Sequence, residues 1–375
     1  MTHSSTIPML HPYALGTGLV ALDVVVSVHS QQPPRCYAGG TCGNVLTILS
    51  YLGWDSSPVS RLSQSPATDR LLADLRHRKV STKFVAVDAT GSTPVIIHWI
   101  SRNAAGEPYH TFSWRCPGCG SYLPGYKPVL ASAAGELVSR LRKPQAFFFD
   151  RVSRGALDLA RASADLGALI VFEPSGIGDP KLFREAWSLA HLIKYSHERL
   201  RDIADLELRQ SDHVGLLLEI ETLGADGLRY RSRLPRFAAK GWQPVDAFTP
   251  PVFKDAAGAG DWCTAGILNR LARGGLTEFR RTSSEKLQDG LRYGQALAAW
   301  NCGFEGARGG MNHVDKRTFK RQVAAILSGA ETAPTAVTTV EPSVVEFLKS
   351  LCPACKQADF AAPRRTRLNG ALFRG

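Results

Sequence analysis

The sequence predicts an α/β fold with a mostly parallel central sheet. Short apolar runs alternate with helix-like patterns along most of the chain, as in residues 15–28, 44–52, 59–61 and 69–78. Repeated strand–helix units of this kind build a parallel sheet with helices packed against it.

A change of pattern near residues 93–114 predicts a small β lid. Two β-rich runs, 95–100 and 109–114, are separated by Asn-Ala-Ala-Gly, which is typical of a hairpin turn. We expect an antiparallel hairpin inserted at about residues 92–115.

The α/β rhythm then resumes with buried-looking strands at 146–149, 169–173, 191–195 and 214–222. Parallel strands end at the same edge of a sheet, and ligands bind beside the carboxyl ends of strands in open α/β sheets. Residues just after these runs are therefore candidates for a binding site.

The composition indicates a folded protein of enzyme size, with 375 residues of which 44% are hydrophobic and 21% charged. A formal net charge of +12 suits anionic phosphorylated ligands or nucleic acid. The basic residues are scattered except near the end, at 364–374, so we interpret them as a solvated surface and do not expect a nucleic-acid partner. A nucleic-acid module using the basic tail stays open as an alternative, recognisable by steeply salt-dependent binding.

The sequence contains neither a membrane-span pattern nor a secretory-signal pattern, which predicts a cytoplasmic protein without a membrane partner. No run approaches the roughly 20 apolar residues of a membrane span, and the first fifteen residues lack the pattern of a secretory signal. In that compartment, eight cysteines are expected to be thiols or metal ligands. Residues 1–328 form the predicted main domain, 329–342 a linker rich in small residues, and 343–375 a C-terminal tail.

One glycine pattern is misleading. Residues 16–21, Gly-Thr-Gly-Leu-Val-Ala, match the dinucleotide fingerprint in letters, but that motif follows a strand and opens a helix. We place it at the entry to a first strand over 19–26, with no strand before it. The P-loop pattern is absent, so phosphate must be bound by another structure.

That structure is predicted at residues 254–261, Lys-Asp-Ala-Ala-Gly-Ala-Gly-Asp, followed by a helical pattern over 262–271. Small residues allow the backbone to approach a ligand, and the unpaired N–H groups of a helix start attract anions. Asp261 could be a helix N-cap, or it could deprotonate a hydroxyl beside the bound phosphate.

Two segments carry a resemblance to a known family. Asp-Ala-Ala-Gly-Ala-Gly-Asp at 255–261 resembles the second signature of the PfkB, or ribokinase-like, family of carbohydrate and nucleoside kinases, apart from Ala256 and Ala257. Ala-Gly-Gly-Thr-Cys-Gly-Asn at 38–44 resembles its N-terminal signature. The resemblance covers roughly residues 15–328. It implies a ribokinase-like three-layer sandwich that transfers a phosphoryl group from ATP, with Mg²⁺, to a small-molecule hydroxyl.

The resemblance also implies roles for the residues of the two signatures. Asp261 would be the catalytic base, and Gly258, Ala259 and Gly260 would supply the anion hole. Asp23, at the end of the first strand, would bind the substrate together with Gly39, Gly40 and Asn44. Taken alone, Asn44 could equally be a helix N-cap, and the two glycines a turn.

Nucleotide contacts are implied farther along. Residues 222–227 resemble the family's Thr-Leu-Gly-x-x-Gly segment, although alone they would indicate only a strand end and a turn. The implied contacts are Lys194, Ser196, Thr222, Gly224, Gly227, Gln295 and Asn301, with Gln295 replacing the usual Asn.

At several positions the sequence differs from the family pattern in ways that affect the expected binding of Mg²⁺ and the rate of turnover. In the segment that corresponds to the family's Asn-x-x-Glu, Ser196 replaces Asn and Arg199 takes the position of the Mg²⁺-organising Glu, with Glu198 beside it. Ala256 and Ala257 lack hydroxyls, and Glu-Pro-Ser at 173–175 stands where Asp-Pro-Asn is common. A catalytically weakened member that acts as a nucleotide-binding or protein-interaction module is therefore the alternative. The substrate stays open among sugars, sugar phosphates and nucleosides, and the family's lids imply a homodimer.

Four cysteines predict a metal site of their own. Cys116 and Cys119, like Cys352 and Cys355, form Cys-x-x-Cys pairs that contain a proline. Four thiolates can form the closed tetrahedral shell of structural Zn²⁺. The prediction requires the tail to fold back onto the base of the lid, and metal-free thiols or disulfides are the alternatives.

Overall fold

The computed structural model describes residues 11–27, 34–200, 215–237, 241–330 and 350–358. Most of the predicted linker and tail, including the arginine cluster, lies outside the described residues. None of the described helices is long and apolar enough to cross a membrane.

The described strands and helices alternate along most of the chain, as the sequence predicts. The strands are β1 (Tyr13–Thr17), β2 (Ala21–Ser27), β3 (Arg35–Gly39), β4 (Asp55–Leu62), β5 (Val85–Val87), β6 (Val95–Arg102), β7 (Pro108–Ser113), β8 (Ala146–Phe149), β9 (Leu169–Phe172), β10 (Leu192–Ser196), β11 (Leu218–Thr222), β12 (Leu228–Ser232) and β13 (Gln243–Val245). The helices are α1 (Thr41–Tyr51), α2 (Pro66–His77), α3 (Ala131–Val138), α4 (Arg154–Asp165), α5 (Pro180–Leu189), α6 (Ala259–Leu271), α7 (Gly275–Phe279), α8 (Ser284–Asn301), α9 (Gly309–His313), α10 (Lys316–Ser328) and α11 (Pro353–Ala358).

A nine-stranded sheet forms the centre of the fold, in the order β13-β12-β11-β10-β9-β8-β1-β4-β5. Seven strands, from β11 to β5, run parallel, and β12 and β13 add antiparallel pairs at one end. The carboxyl ends of β8, β9, β10 and β11 consequently share one edge. The structure confirms the predicted α/β fold with a mostly parallel sheet.

Helices cover both faces of this sheet. In β8, Phe147 and Phe149 pack into one apolar core with α4 and α5, whereas Phe148 packs into the other with α1, α6 and α8. Successive side chains of a strand point to opposite faces, so the run of three phenylalanines fills both cores. The result is the predicted three-layer sandwich.

The lid is a four-stranded sheet in the order β3-β2-β6-β7. The predicted hairpin supplies only β6 and β7, while β2 pairs in parallel with β6 and antiparallel with β3. The sequence pattern did not indicate that the N-terminal segment enters the lid.

The bend at Gly18 explains that error. The chain leaves β1 in the central sheet and enters β2 in the lid through Gly18, whose φ is +135° and whose added Cβ would lie 1.8 Å from Asp150 Oδ1. A strand does precede Gly18, contrary to the expectation, and Asp23 lies within the second strand instead of at the end of the first. Since no helix follows, the dinucleotide motif is still excluded.

Candidate active site

The glycine loop at residues 255–260 turns into α6 through a left-handed residue. Gly258 is the N-cap of α6, with φ +74°, and a Cβ there would lie 2.2 Å from the carbonyl oxygen of Ala307. Only glycine satisfies both conditions. The first-turn N–H groups of α6, which have no partners within the helix, follow next to the exposed Gly260.

Asp261 lies in the first turn of α6 and contacts a residue of α1, in the N-terminal part of the sequence. Asn44 donates a hydrogen bond of 2.8 Å from Nδ2 to Asp261 Oδ2. The N-cap of α1 is Gly40, without a capping side chain, so Asn44 is a first-turn residue instead of the cap. The structure thus joins a predicted substrate residue to the predicted base.

The surroundings of Asp261 favour its protonated form. The residue is half-buried, and burial, followed by the nearby Glu173 carboxylate, raises its pKa to about 8. The Asn44 hydrogen bond, Lys194 and Arg199 act in the opposite direction. A carboxyl group of this kind can exchange a proton close to neutral pH.

A buried ion pair lies under the glycine loop. Lys194 Nζ is 2.7 Å from Glu173 Oε1, and Thr264 donates to Glu173 Oε2 at 2.5 Å. A Cβ on Gly260 would lie 3.7 Å from Lys194 Nζ. Burial lowers the pKa of Lys194, but Glu173, together with Cys263 and Asp261, raises it above the ordinary value, so the ammonium is charged. Glu173 was not predicted as a site residue.

Asp23 and the predicted glycines form one unit between the lid and α1. A Cβ on Gly39 would lie 1.9 Å from Asp23 Oδ2, and a Cβ on Gly40, where φ is +76°, would lie 2.4 Å from the carbonyl oxygen of Leu19. Close approach therefore requires both glycines. Asp23 Oδ1 is buried without a hydrogen-bond partner among the described residues, and burial raises the pKa of Asp23 to about 7.

Arg308 was also missed by the sequence analysis. Its buried guanidinium donates to Asp74 Oδ2 at 2.7 Å and to the carbonyl oxygen of Ala38, and its charge lowers the pKa of Asp23. Arg308 thereby holds the chain next to Gly39 in place.

The lid contacts the glycine loop through a cluster that we call the lid latch, formed by His98, His110 and Asp255. His110 Nδ1 lies 2.8 Å from Asp255 Oδ1, and His98 Nε2 lies 3.4 Å from Asp255 Oδ2. The backbone N–H groups of Ala257 and Gly306 also donate to this carboxylate. Burial lowers the pKa of His98 to about 4, so His98 is neutral at pH 7. Neither histidine was predicted.

The predicted nucleotide residues lie in two places. Ser196 and Thr222 are register partners at the carboxyl edge of β10 and β11, and Gly224 and Gly227 form the turn that follows. Gly227 has φ +89°, and its Cβ would meet the carbonyl oxygen of Val245 at 2.3 Å.

Gln295 and Asn301 lie on α8. Asn301 is fully buried, and its Nδ2 donates to the carbonyl oxygens of Ala257 and Ala307 at 3.1 and 3.2 Å. This side chain supports the glycine loop, which differs from the predicted nucleotide contact. Gln295 is buried beside Cys263, with its Nε2 unpartnered among the described residues.

The four predicted cysteines come together at the base of the lid. Cys116 Sγ lies 3.7 Å from Cys355 Sγ, and Cys119 Sγ lies 3.6 Å from Cys352 Sγ. This cluster is separate from the residues around Asp261.

Known proteins resemble this chain over most of its length. Residues 151–313 match the model of the pfkB family of carbohydrate kinases. Ketohexokinase of Mus musculus is 23% identical over 321 residues, covering 79% of this chain and 97% of the mouse protein.

Solved structures of kinases share the fold. Fructokinase of Xylella fastidiosa with bound ATP has a TM-score of 0.61 and 18% identity, covering 84% of this chain and 98% of the other. Nucleoside kinase of Burkholderia thailandensis in complex with inosine has a TM-score of 0.60 and 17% identity, covering 84% and 97%. The family match and the mouse relative confirm the predicted resemblance to the PfkB family, and the chain is similar to PfkB-type kinases, which are phosphotransferases with an alcohol group as acceptor.

Proposed function

We propose that this kinase transfers the γ-phosphoryl group of ATP to a hydroxyl of a sugar or of the sugar part of a nucleoside. The observation that carries the proposal is the position of Asp261 in the first turn of α6, beside the glycine loop and above the Lys194 ammonium. A base and an anion site are thereby adjacent, as in-line phosphoryl transfer requires.

Asp261 would accept the proton of the attacking hydroxyl. Asn44 binds Oδ2, so Oδ1 is the atom left for the acceptor among the contacts of the described residues. This hydrogen bond also fixes the rotation of the carboxylate, which improves its alignment with the hydroxyl.

The glycine loop would stabilise the charge on the transferring phosphoryl group. Its predicted anion hole, Gly258, Ala259 and Gly260, leads into the positive end of the α6 dipole. Lys194 Nζ adds a full positive charge beneath Gly260. Because Lys194 is held by Glu173, this charge is in place before substrate binds.

Asp23, Gly39 and Gly40 would bind the acceptor. The unpartnered Asp23 Oδ1 offers a buried acceptor to a sugar hydroxyl, which would satisfy it. The two glycines allow the Asp23 carboxylate and the Leu19 carbonyl group to approach the backbone before α1 closely. The named relatives, a ketohexokinase, a fructokinase and a nucleoside kinase, support a sugar-containing substrate without deciding between the classes.

The nucleotide would lie along the carboxyl edge of β10 and β11, at Ser196, Thr222 and the turn from Gly224 to Gly227. Mg²⁺ bound with the nucleotide phosphates would neutralise charge on the transferring group. No cluster of acidic residues near Asp261 could hold such an ion by itself in the described part of the chain. The exposed Glu198 would approach it through water, in place of the Glu that Arg199 replaces.

Two further expectations accompany this function. A homodimer through the lid is supported by the exposed rings of Trp114 and Tyr122, and a change of Trp114 to Glu should yield a monomer in light scattering. A cytoplasmic location is supported by the eight cysteines, none of which forms a disulfide, because reduced cysteines persist in reducing compartments.

The test is a screen of sugars, sugar phosphates and nucleosides for stimulated ADP production. Asp261→Asn should abolish the stimulation, while Asp289→Asn, an exposed helical aspartate on α8, should leave it intact. Equal activity in Asp261→Asn would exclude Asp261 as the base. Nucleotide binding without stimulation by any acceptor would favour the weakened, non-catalytic alternative that Arg199, Ala256 and Ala257 suggest.

A further inference from the structure

We propose that Cys116, Cys119, Cys352 and Cys355 bind one structural Zn²⁺ and fasten the segment 350–358 to the base of the lid. The site is separate from the proposed phosphoryl transfer, so its test does not depend on activity. The two cysteine pairs lie more than 230 positions apart in the sequence, yet their four sulfurs all lie within 4.8 Å of one another.

The distances fit a tetrahedral metal. With Zn–S bonds of about 2.3 Å, neighbouring sulfurs of a regular tetrahedron lie about 3.8 Å apart. The observed separations are 3.7 Å for Cys116 and Cys355, and 3.6 Å for Cys119 and Cys352. Disulfide sulfurs would be about 2.0 Å apart. All four ligand positions are filled by protein, which is typical of structural and not catalytic zinc.

The first cysteine pair is held in a tight backbone knuckle. The N–H of Gly120 donates to the carbonyl oxygen of Cys116 at 2.8 Å, and the N–H of Cys116 donates to that of Ser121 at 2.8 Å. Gly120 has φ +74°, and no atom lies within 4 Å of an added Cβ. Glycine is therefore favoured here by the left-handed backbone of the turn and not by close packing.

The knuckle is part of the lid. After β7 ends at Ser113, the N–H of Leu123 donates to the carbonyl oxygen of Trp114, and the N–H of Val95 at the start of β6 donates to that of Pro124. A metal bound here is therefore fixed to both strands that carry the histidines of the lid latch.

The second pair comes from the C-terminal segment. Cys352 directly precedes α11 and is fully buried, and Leu351 packs in the same core as Cys116 and Leu123. Ala354 and Cys355 also pack against this core. A metal would supply a connection that a stretch of nine described residues cannot supply by burial alone.

Zinc is the ion that this donor set favours. Four soft thiolates in tetrahedral arrangement select zinc or iron over harder cations such as Mg²⁺. A [2Fe–2S] or [4Fe–4S] cluster is also held by four cysteines, but its inorganic core would keep their sulfurs farther apart than the 4.8 Å found here, so these distances accommodate a single metal ion.

The experiment measures metal content of the full-length protein, purified under reducing conditions, by mass spectrometry of the metal. About one zinc per chain is expected in the wild type. Cys119→Ser and Cys355→Ser, the two more exposed positions, should each lose it, and Cys36→Ser, a half-buried cysteine outside the cluster, should retain it. Cys119→His should also retain zinc, because imidazole can replace a thiolate as ligand.

Two further readouts keep the test decisive if a variant folds poorly. Co²⁺-loaded wild type should show the visible absorption of tetrahedral cobalt–thiolate, and a chelator should lower the melting temperature of the wild type but not that of Cys119→Ser. Full zinc content in Cys355→Ser, iron in place of zinc, or a metal-free wild type with unaltered melting in chelator would each overturn the proposal.

Discussion

Asn44 Nδ2 lies 2.8 Å from Asp261 Oδ2, so the first turns of α1 and α6 meet at one carboxylate. The two residues are 217 positions apart, and each belongs to a different signature of the family. This contact makes the acceptor side and the phosphate side of the site a single unit.

The pH dependence of the reaction should follow Asp261. Burial raises its pKa to about 8, and the base must be ionised, so kcat/KM should rise with pH up to about that value. In Asn44→Ala the loss of a hydrogen bond that lowers the pKa should move the midpoint upward. Steady-state rates between about pH 6 and about pH 10, a range of about two units on either side of this pKa, test both expectations. An unchanged midpoint in Asn44→Ala would contradict the assignment.

Gly258→Ala should reduce both stability and activity. The left-handed φ of +74° and a Cβ placed 2.2 Å from the carbonyl oxygen of Ala307 should together cost about 2–4 kcal/mol. Gly53→Ala is the matched control, because Gly53 has φ +91° but no atom within 4 Å. Urea unfolding of the two variants separates the backbone penalty from the clash. Equal losses in both would mean that the loop moves to admit a methyl group.

Lys194→Met should leave Glu173 buried without its cation. Breaking a buried pair in this way costs about 3–5 kcal/mol, although Thr264 still donates to Glu173. The double variant Lys194→Met with Glu173→Gln should recover most of the stability and none of the activity. Recovery of activity in the double variant would show that Lys194 acts only as a partner for Glu173.

His110→Ala should weaken the lid latch. Without the 2.8 Å contact to Asp255, the lid should open more often and admit water to the phosphate. We expect a higher ratio of ADP formed to acceptor phosphorylated, while the exposed His77→Ala on α2 leaves the ratio unchanged. If His110→Ala still formed one ADP for each acceptor phosphorylated, the lid would not depend on this contact for closure.

Local sequence patterns accounted for the parallel sheet, the hairpin of the lid and the helix start at Asp261. Each of these depends on residues close together in the chain: apolar periodicity, a turn, or small residues before a helix. Periodicity could not show that β2 leaves the central sheet, because a strand in either sheet is equally apolar. The chain changes sheets at Gly18. The need for glycine there becomes clear only from the close approach of Asp150, which is distant in the sequence.

The missed site residues share a different property. His98 and His110 lie more than 140 positions before Asp255 in the sequence. Glu173 directly follows β9 and pairs with Lys194 on the neighbouring strand β10, a residue predicted only as a nucleotide contact. Buried charges are paired, and a buried Lys in an apolar strand such as β10 was a usable signal that an acid must lie nearby. The identity of that acid depends on strand order, which the sequence alone did not specify.

Ionisation of Asp261, which the reaction requires, should lower the stability of the folded protein. The folded-state pKa of Asp261, about 8, is above the value near 3.9 of an unfolded Asp. Between these values the folded protein binds a proton that the unfolded chain has lost, so the contribution is complete below pH 3.9 and disappears as pH rises through 8.

Asp261→Asn should therefore be more stable than the wild type at pH 8, by on the order of 1 kcal/mol, because the half-buried carboxylate is partly screened by solvent. The advantage should shrink toward pH 4, where both side chains are neutral. Urea unfolding at pH 4, 6 and 8 measures it, with Asp289→Asn as the exposed control. A wild type more stable than Asp261→Asn at pH 8 would mean that neighbouring cations stabilise the ionised carboxylate, and that Asp261 is not held near its protonated form by burial.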